Sequence, residues 1–278
     1  MSVNHEKTLF FKSMLKPWLK LLRVVNLPTV PGDVLVGAAA AICWGGCGVA
    51  SEQALERIAL AAVSSVFLYL FGLVDNDIVG AATDSGRPIS DGQVSMASAR
   101  IARMLCLVLG VATSASAAFF VSSAEGRDYA VMFAICQIFV ALALVVAVLA
   151  YNRTKRPLLM GLCRGINVFL GATAIFPLPM WILAFVRAPL HACTVAVVVA
   201  VWTAYVAAVT KYSEGEESDP EKKRRVGLLV GGIVYLQLVA LIAFTLINPT
   251  LKPLLVVGAV LLVLLRVMRR ALPKVSAS

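Results

Sequence analysis

An all-α, polytopic helical membrane bundle is the fold class this sequence predicts, and three observations predict it. The 278 residues are 60% hydrophobic and only 14% charged, with a mean hydropathy of +0.89, more apolar surface than a soluble domain can bury. The apolar residues come in runs of about 17–25, the length of helical spans, whereas barrel strands alternate over about 10 residues. The basic residues fall between these runs in a one-sided pattern. Eight spans are expected, at 33–50, 56–76, 98–122, 129–150, 158–178, 189–210, 226–247 and 250–268. With the N-terminus inside, all but Arg57, Arg127, Arg187 and Lys252 of the 25 Lys and Arg residues lie on the cytoplasmic side, as the positive-inside rule demands. Topology thus accounts for the net charge of +10, and no nucleic-acid partner is expected.

In chain order, residues 1–24 read as a cytoplasmic, amphipathic interfacial segment, and residues 25–278 as a single transmembrane domain. Lys12, Lys16 and Lys20 recur at four-residue spacing, with Arg23 continuing their face, a pattern suited to the anionic leaflet surface. Pro28, Pro31 and Gly32 then interrupt the approach to the first span, beside Asn26 and Asp33. Irregular backbone at membrane depth is tolerated beside protein or a wet cavity. Asp33 reads equally as a helix N-cap and as a site residue. The glycines at 161, 165 and 171, with Ala172, predict close helix packing in the fifth span. The six cysteines include no C-x-x-C pair and both histidines are isolated, so neither a disulfide framework nor a zinc site is implied.

Polar residues concentrate in three places. Leu73 to Ser95 carries Asp75, Asn76, Asp77, Asp84 and Asp91, in a chain with 15 acidic residues. Hard oxygen ligands clustered in this way suit Mg²⁺, which binds substrate phosphates through its remaining positions. Asn76, Gly80 and Asp84 would share one face of a continuing helix. The fourth span ends in Tyr151 and Lys155, one helical turn apart, a phenol and an ammonium able to hold a diphosphate. Arg164 and Asn167 follow inside an apolar run, where polar residues are functional candidates. A second acidic cluster, Glu214, Glu216 and Asp219, follows the sixth span. It reads also as a solvated loop, just as Arg153, Lys155 and Arg156 read also as topological anchors. All three constellations fall on the cytoplasmic face, which makes a pocket open to that side. Acidic clusters facing cations and a phenol suit ionisation of an allylic diphosphate, the leaving group being stabilised through Mg²⁺.

These motifs resemble the UbiA superfamily of intramembrane prenyltransferases. NDIVGAATD at 76–84 is similar to the family's first aspartate-rich motif, and RPISDGQVS at 87–95 to the segment that follows it. Tyr151 and Lys155 match the family's Y-x-x-x-K, and LPTVPGDVLVGA at 27–38 resembles bacterial members. MGLCRGINVFLGA at 160–172 and TKYSEGEE at 210–217 look like the branch that includes EboC-like proteins. The resemblance implies a UbiA-like bundle that transfers a prenyl group from its diphosphate to an aromatic or other small acceptor, assisted by Mg²⁺. It implies metal ligation by Asn76, Asp77, Asp84 and Glu216, and catalytic roles for Asp77, Asp84 and Lys155. Substrate would be bound by Asn26, Arg87, Tyr151, Lys155, Arg164 and Asn167. The expected partners are a prenyl diphosphate, a small acceptor and membrane lipid, and the expected location is the bacterial cytoplasmic membrane with both termini inside.

Four departures accompany the likeness. Gly80 stands where the family's central aspartate is expected, and residues are missing between Ser85 and Arg87. The Glu214–Asp219 region replaces the second aspartate-rich motif, and eight spans are expected where the family usually has nine. They keep a second reading open, a catalytically degenerate membrane carrier or binding protein for a prenyl lipid or small hydrophobic molecule. An ion-coupled transporter would show paired broken helices at mid-membrane, which this sequence lacks.

Overall fold

Prolines and small residues decide where the helices begin and how closely they meet. The computed structural model describes residues 15–44, 52–121, 127–187, 189–216 and 219–271. Among them α1 covers residues 15–21 and a 3-10 turn covers Val24–Thr29, leading into α2 (Pro31–Trp44). There follow α3 (Glu52–Val79), α4 (Met96–Ser116), α5 (Arg127–Thr154), α6 (Pro157–Thr173) and α7 (Leu178–Arg187). The chain ends in α8 (Pro189–Ser213), α9 (Pro220–Ile247) and α10 (Lys252–Ala271), and no strand occurs among the described residues. Pro31, Pro157, Pro189 and Pro220 each open a helix, where the missing N–H costs nothing and the fixed φ is already helical. Ser95 caps α4 by accepting the Ser98 N–H at 3.1 Å.

The centre of the molecule is α2. Val34, Val36, Ala38, Ala39 and Ala40 have no exposed surface, because α3, α6, α8, α9 and α10 all pack around this helix. A helix apolar on every side belongs in such a place. Gly37 of α2 lies against the Val168 carbonyl of α6, and Gly171 of α6 lies against the Val34 carbonyl of α2. On its opposite side α6 presents Gly161 and Gly165 to Thr203 of α8. The predicted small-residue packing is therefore found on both faces of α6, where missing side chains let backbones approach. Large apolar residues such as Ile101, Leu105 and Val108 of α4 and Val256, Val260 and Val263 of α10 face outward, as lipid contact requires.

Seven segments among the described residues are long and apolar enough to cross a membrane, the first running from Leu15 to Cys43. The pair α6–α7, bent by 88°, makes an eighth if taken as one span. The chain is an integral membrane protein. The first span, expected at 33–50, is helical over Pro31–Trp44, and its expected end, with Cys47, lies outside the described residues. The fifth, expected at 158–178, ends at Thr173, and the stretch that follows it forms α7. Pro177 has no N–H to continue the ladder and restricts its predecessor. Trp181 then pins the bend, donating to the Phe176 carbonyl at 2.9 Å and stacking edge-on to the Phe176 ring.

Residues 1–14 of the N-terminal basic segment, with Lys12, lie outside the described ones. The remainder packs against protein, with Leu21 buried beside Val74, Ile89, Val94 and Ala99. Lys20 donates to the Gly86 carbonyl at 2.7 Å, so this face belongs to the bundle's own polar end.

Candidate diphosphate site

Where α3, α5 and α6 converge under the 3-10 turn, a cavity of 220 Å³ opens toward the polar end of the bundle. Its mouth gathers Arg23, Asn76, Arg87, Tyr151 and Lys155, and its interior is walled by Leu68, Leu144, Val148 and Met160. The volume is just under the about 300–1,000 Å³ usual for small-molecule sites. A larger vestibule of 820 Å³ adjoins it, sharing Arg23 and Arg87 and adding Lys20, Asn26, Asp77, Glu216, Lys223 and Arg269. The three polar constellations expected on one face thus converge on two neighbouring hollows.

Two mouth cations sit on unusual backbone. Arg23 has φ 42° and Lys155 has φ 54°, and among the described residues they are the non-glycine residues with positive φ. Left-handed backbone costs a side-chain-bearing residue about 1–3 kcal/mol and clusters at functional positions. Lys155 leaves the end of α5 with its N–H bonded to the Tyr151 carbonyl at 2.7 Å. Its ammonium reaches the Asn76 Oδ1 and lies 5.7 Å from the Tyr151 ring centroid. Burial first, and the Arg87 guanidinium second, push the Lys155 ammonium below its ordinary value of 10.5, with Asp84 opposing them. Sequence reasoning assigned Arg23 to the lipid surface and so missed it. The signal that could have found it is its place directly before Asn26, Pro28 and Pro31, where the helix must break.

The aspartate-rich stretch separates into two groups. Asp75 is buried and spent on structure, paired with Arg103 at 3.0 Å and accepting from the Asn152 side chain at 2.9 Å. Asp77 and Asp84 instead share one partner. Arg87 reaches Asp77 Oδ1 at 3.4 Å with one terminal nitrogen and Asp84 Oδ2 at 3.0 Å with the other. The helix expected at 56–76 runs on to Val79 and stops there, so Asn76, Gly80 and Asp84 do not share one helical face, and the chain turns so that the Asp84 N–H bonds the Gly80 carbonyl at 2.8 Å. The Asp84 carboxylate folds over Gly80, into the space a Cβ there would need.

The second acidic region is divided as well. Asp219 caps α9, accepting from the Glu221 and Lys222 N–H groups at 2.9 and 3.1 Å. The backbone carbonyl of Glu214 accepts the Lys222 ammonium at 2.6 Å. Glu216 alone of the three lines the vestibule, while Glu217 lies outside the described residues.

Arg164 and Asn167, expected to bind substrate, do line the floor of the smaller cavity, but their polar atoms also serve Asp33. Arg164 Nε lies 2.8 Å from Asp33 Oδ2, and Asn167 donates to the same oxygen at 3.2 Å. Trp202 and Gln237 donate to Asp33 Oδ1 at 3.0 and 2.7 Å. Arg164 and Gln237 further hold the Thr29 carbonyl at 2.7 and 2.8 Å. Asp33 therefore ties α2 to α6, α8 and α9, and two of the side chains it orients, Arg164 and Gln237, hold the end of the 3-10 turn that follows Arg23. Trp202 and Gln237, polar groups inside apolar spans, were the available signal. Asn26 lies in the vestibule.

A divalent metal fits this donor set poorly. Among the described residues no three His, Cys, Asp or Glu side chains come together as a metal group. Asn76 holds Lys155, Asp75 holds Arg103 and Asn152, and Gly80 offers nothing. Asp77 and Asp84, the carboxylates that remain, are both engaged by the Arg87 guanidinium, so a cation there would have to displace a charge already in place.

No known protein family and no curated protein matches the sequence. Solved structures do. A UbiA homolog from Archaeoglobus fulgidus bound to Cd²⁺ is similar over 92% of this chain and 87% of its own, with 14% identity and a TM-score of 0.46. The same homolog bound to DMAPP and Mg²⁺ is similar over 91% and 87%, with 14% identity and a TM-score of 0.48. A digeranylgeranylglyceryl phosphate synthase is similar over 95% of this chain and 97% of its own, at 15% identity and a TM-score of 0.48.

Proposed function

We propose that this protein is an intramembrane prenyltransferase that moves a prenyl group from its diphosphate to a small acceptor. The observation that carries the reading is the cavity itself. Its charged mouth, with Arg23, Arg87, Tyr151 and Lys155, opens onto an apolar interior, which matches a diphosphate joined to a hydrocarbon. The likeness of the 76–95 and 151–155 motifs to the UbiA superfamily supports it independently.

In this reading the allylic C–O bond breaks and its electron pair leaves with the diphosphate. Arg23, Arg87 and Lys155 take up the charge that develops there, and the Tyr151 phenol donates to it. The walls of Leu68, Leu144 and Val148 keep water from the allylic cation. An acceptor entering through the vestibule supplies the attacking electron pair and then loses a proton to the released diphosphate. The site faces the cytoplasm, where the basic segments lie.

Purified full-length protein in liposomes is offered prenyl diphosphates of graded length, with a cell extract as acceptor source. Diphosphate release together with a new prenylated product is expected. Tight binding without release under any condition would overturn transfer in favour of a carrier, a reading that Gly80 and the divided second acidic region favour.

A further inference from the structure

Gly80 leaves the acidic stretch one carboxylate short, and the two on either side of it, Asp77 and Asp84, are already bridged by Arg87. A guanidinium presents five N–H donors in a planar fork. Arg87 uses its two terminal nitrogens on Asp77 and Asp84, and among the described residues no other side chain engages that fork. The same guanidinium lines both the cavity and the vestibule. Arg87 is thus held by two carboxylates while it lines both hollows, the arrangement by which a bridging cation joins acids to a phosphate. The charge count agrees. Arg23 and Arg87 line both hollows, Lys155 lines the cavity, and Asp77 and Glu216 line the vestibule with Lys20, Lys223, Arg224 and Arg269, so an incoming diphosphate meets a net positive field without an added ion.

We infer that Arg87 takes the place of a divalent cation here, so that the site holds a prenyl diphosphate without metal. The inference rests on the reading that the site takes a prenyl diphosphate at all. Arg87 is a binding residue in this account, and Asp77 and Asp84 are positioning residues that act through it. The Asp77 and Asp84 carboxylates are what a resident metal would use instead, and the experiment separates the two.

Binding of geranyl diphosphate and of its unreactive thio analogue to the full chain in nanodiscs is measured calorimetrically, in EDTA and in Mg²⁺. The expected result is the same affinity in both, within about threefold. Arg87→Ala is expected to weaken binding in EDTA by about 10–100-fold, the loss typical of a charge-assisted contact. Arg87→Lys keeps the charge but not the fork, and is expected to unfold at the wild-type temperature while still binding weakly. Wild-type binding that disappears in EDTA and returns with Mg²⁺ would overturn the inference but leave the prenyl-diphosphate reading intact. Absence of binding in both buffers would overturn that reading and this inference with it. Undiminished binding by both Arg87 variants in EDTA would overturn the assignment to Arg87.

Discussion

Lys155 holds its charge at a position that opposes it, and this gives the site a pH signature. Burial and Arg87 depress its pKa, while the form able to hold a diphosphate is the protonated one. As pH rises through the depressed value the ammonium is lost, so diphosphate affinity falls at a lower pH than an ordinary lysine would allow. Lys155→Arg keeps its proton throughout, and its binding curve is expected to stay flat into the alkaline range. Titrating geranyl diphosphate affinity against pH for both proteins checks this; superimposable curves would remove Lys155 from the site. Gly80 gives a second residue-scale prediction. A side chain there meets the Asp84 carboxylate, and a third acid adds charge that a single guanidinium does not offset. Gly80→Asp is expected to weaken binding in EDTA by about 10-fold, about one charged contact, and to make it respond to Mg²⁺. Equal binding by variant and wild type in EDTA would show that charge balance at this mouth does not govern affinity.

At the scale of elements, α6 is the helix on which the bundle depends. Its glycines meet α2 on one side and α8 on the other, and its Arg164 and Asn167 reach Asp33. Gly171→Leu places a side chain against the Val34 backbone and is expected to cost about 1–3 kcal/mol by overpacking. Asp33→Leu leaves the Arg164 guanidinium buried without its carboxylate, a loss of about 3–5 kcal/mol. Both appear as lower unfolding temperatures in detergent. Asp33→Leu should also weaken geranyl diphosphate binding, because the 3-10 turn that follows Arg23 loses its anchor. Unchanged binding in a folded Asp33→Leu protein would separate the buried network from the site.

For the whole molecule, sidedness follows from what shares the vestibule. Lys20 and Arg23 from the start of the bundle and Arg269 from its last helix line one hollow, so the two ends of the described chain lie on the same side. Taking α6–α7 as one bent span gives the even count this requires. Fusions of a fluorescent protein to either terminus are expected to fluoresce in the bacterial cytoplasm, and alkaline phosphatase fusions at the same points to be inactive. An active phosphatase fusion at one terminus alone would make α6–α7 a re-entrant pair.

Composition and periodicity by themselves determined the membrane class, the all-helical architecture and the gathering of polar residues at one end, because burial against lipid constrains whole runs of residues at once. Tyr151 and Lys155 were legible as candidates from their one-turn spacing at the end of an apolar span, and Arg87 from the resemblance of its segment to a known family. What each acid does was decided only by tertiary structure. Asp75, Asp77 and Asp84 look alike in sequence, yet one is tied to Arg103 and Asn152 while two are bridged by Arg87. Asp33 could be read as a local cap until Trp202 and Gln237, far along the chain, closed around it. Arg23 entered the site only because the break before α2 turns its backbone left-handed. A carboxylate's role is set by which donors lie within about 3 Å of it, and those donors come from other helices.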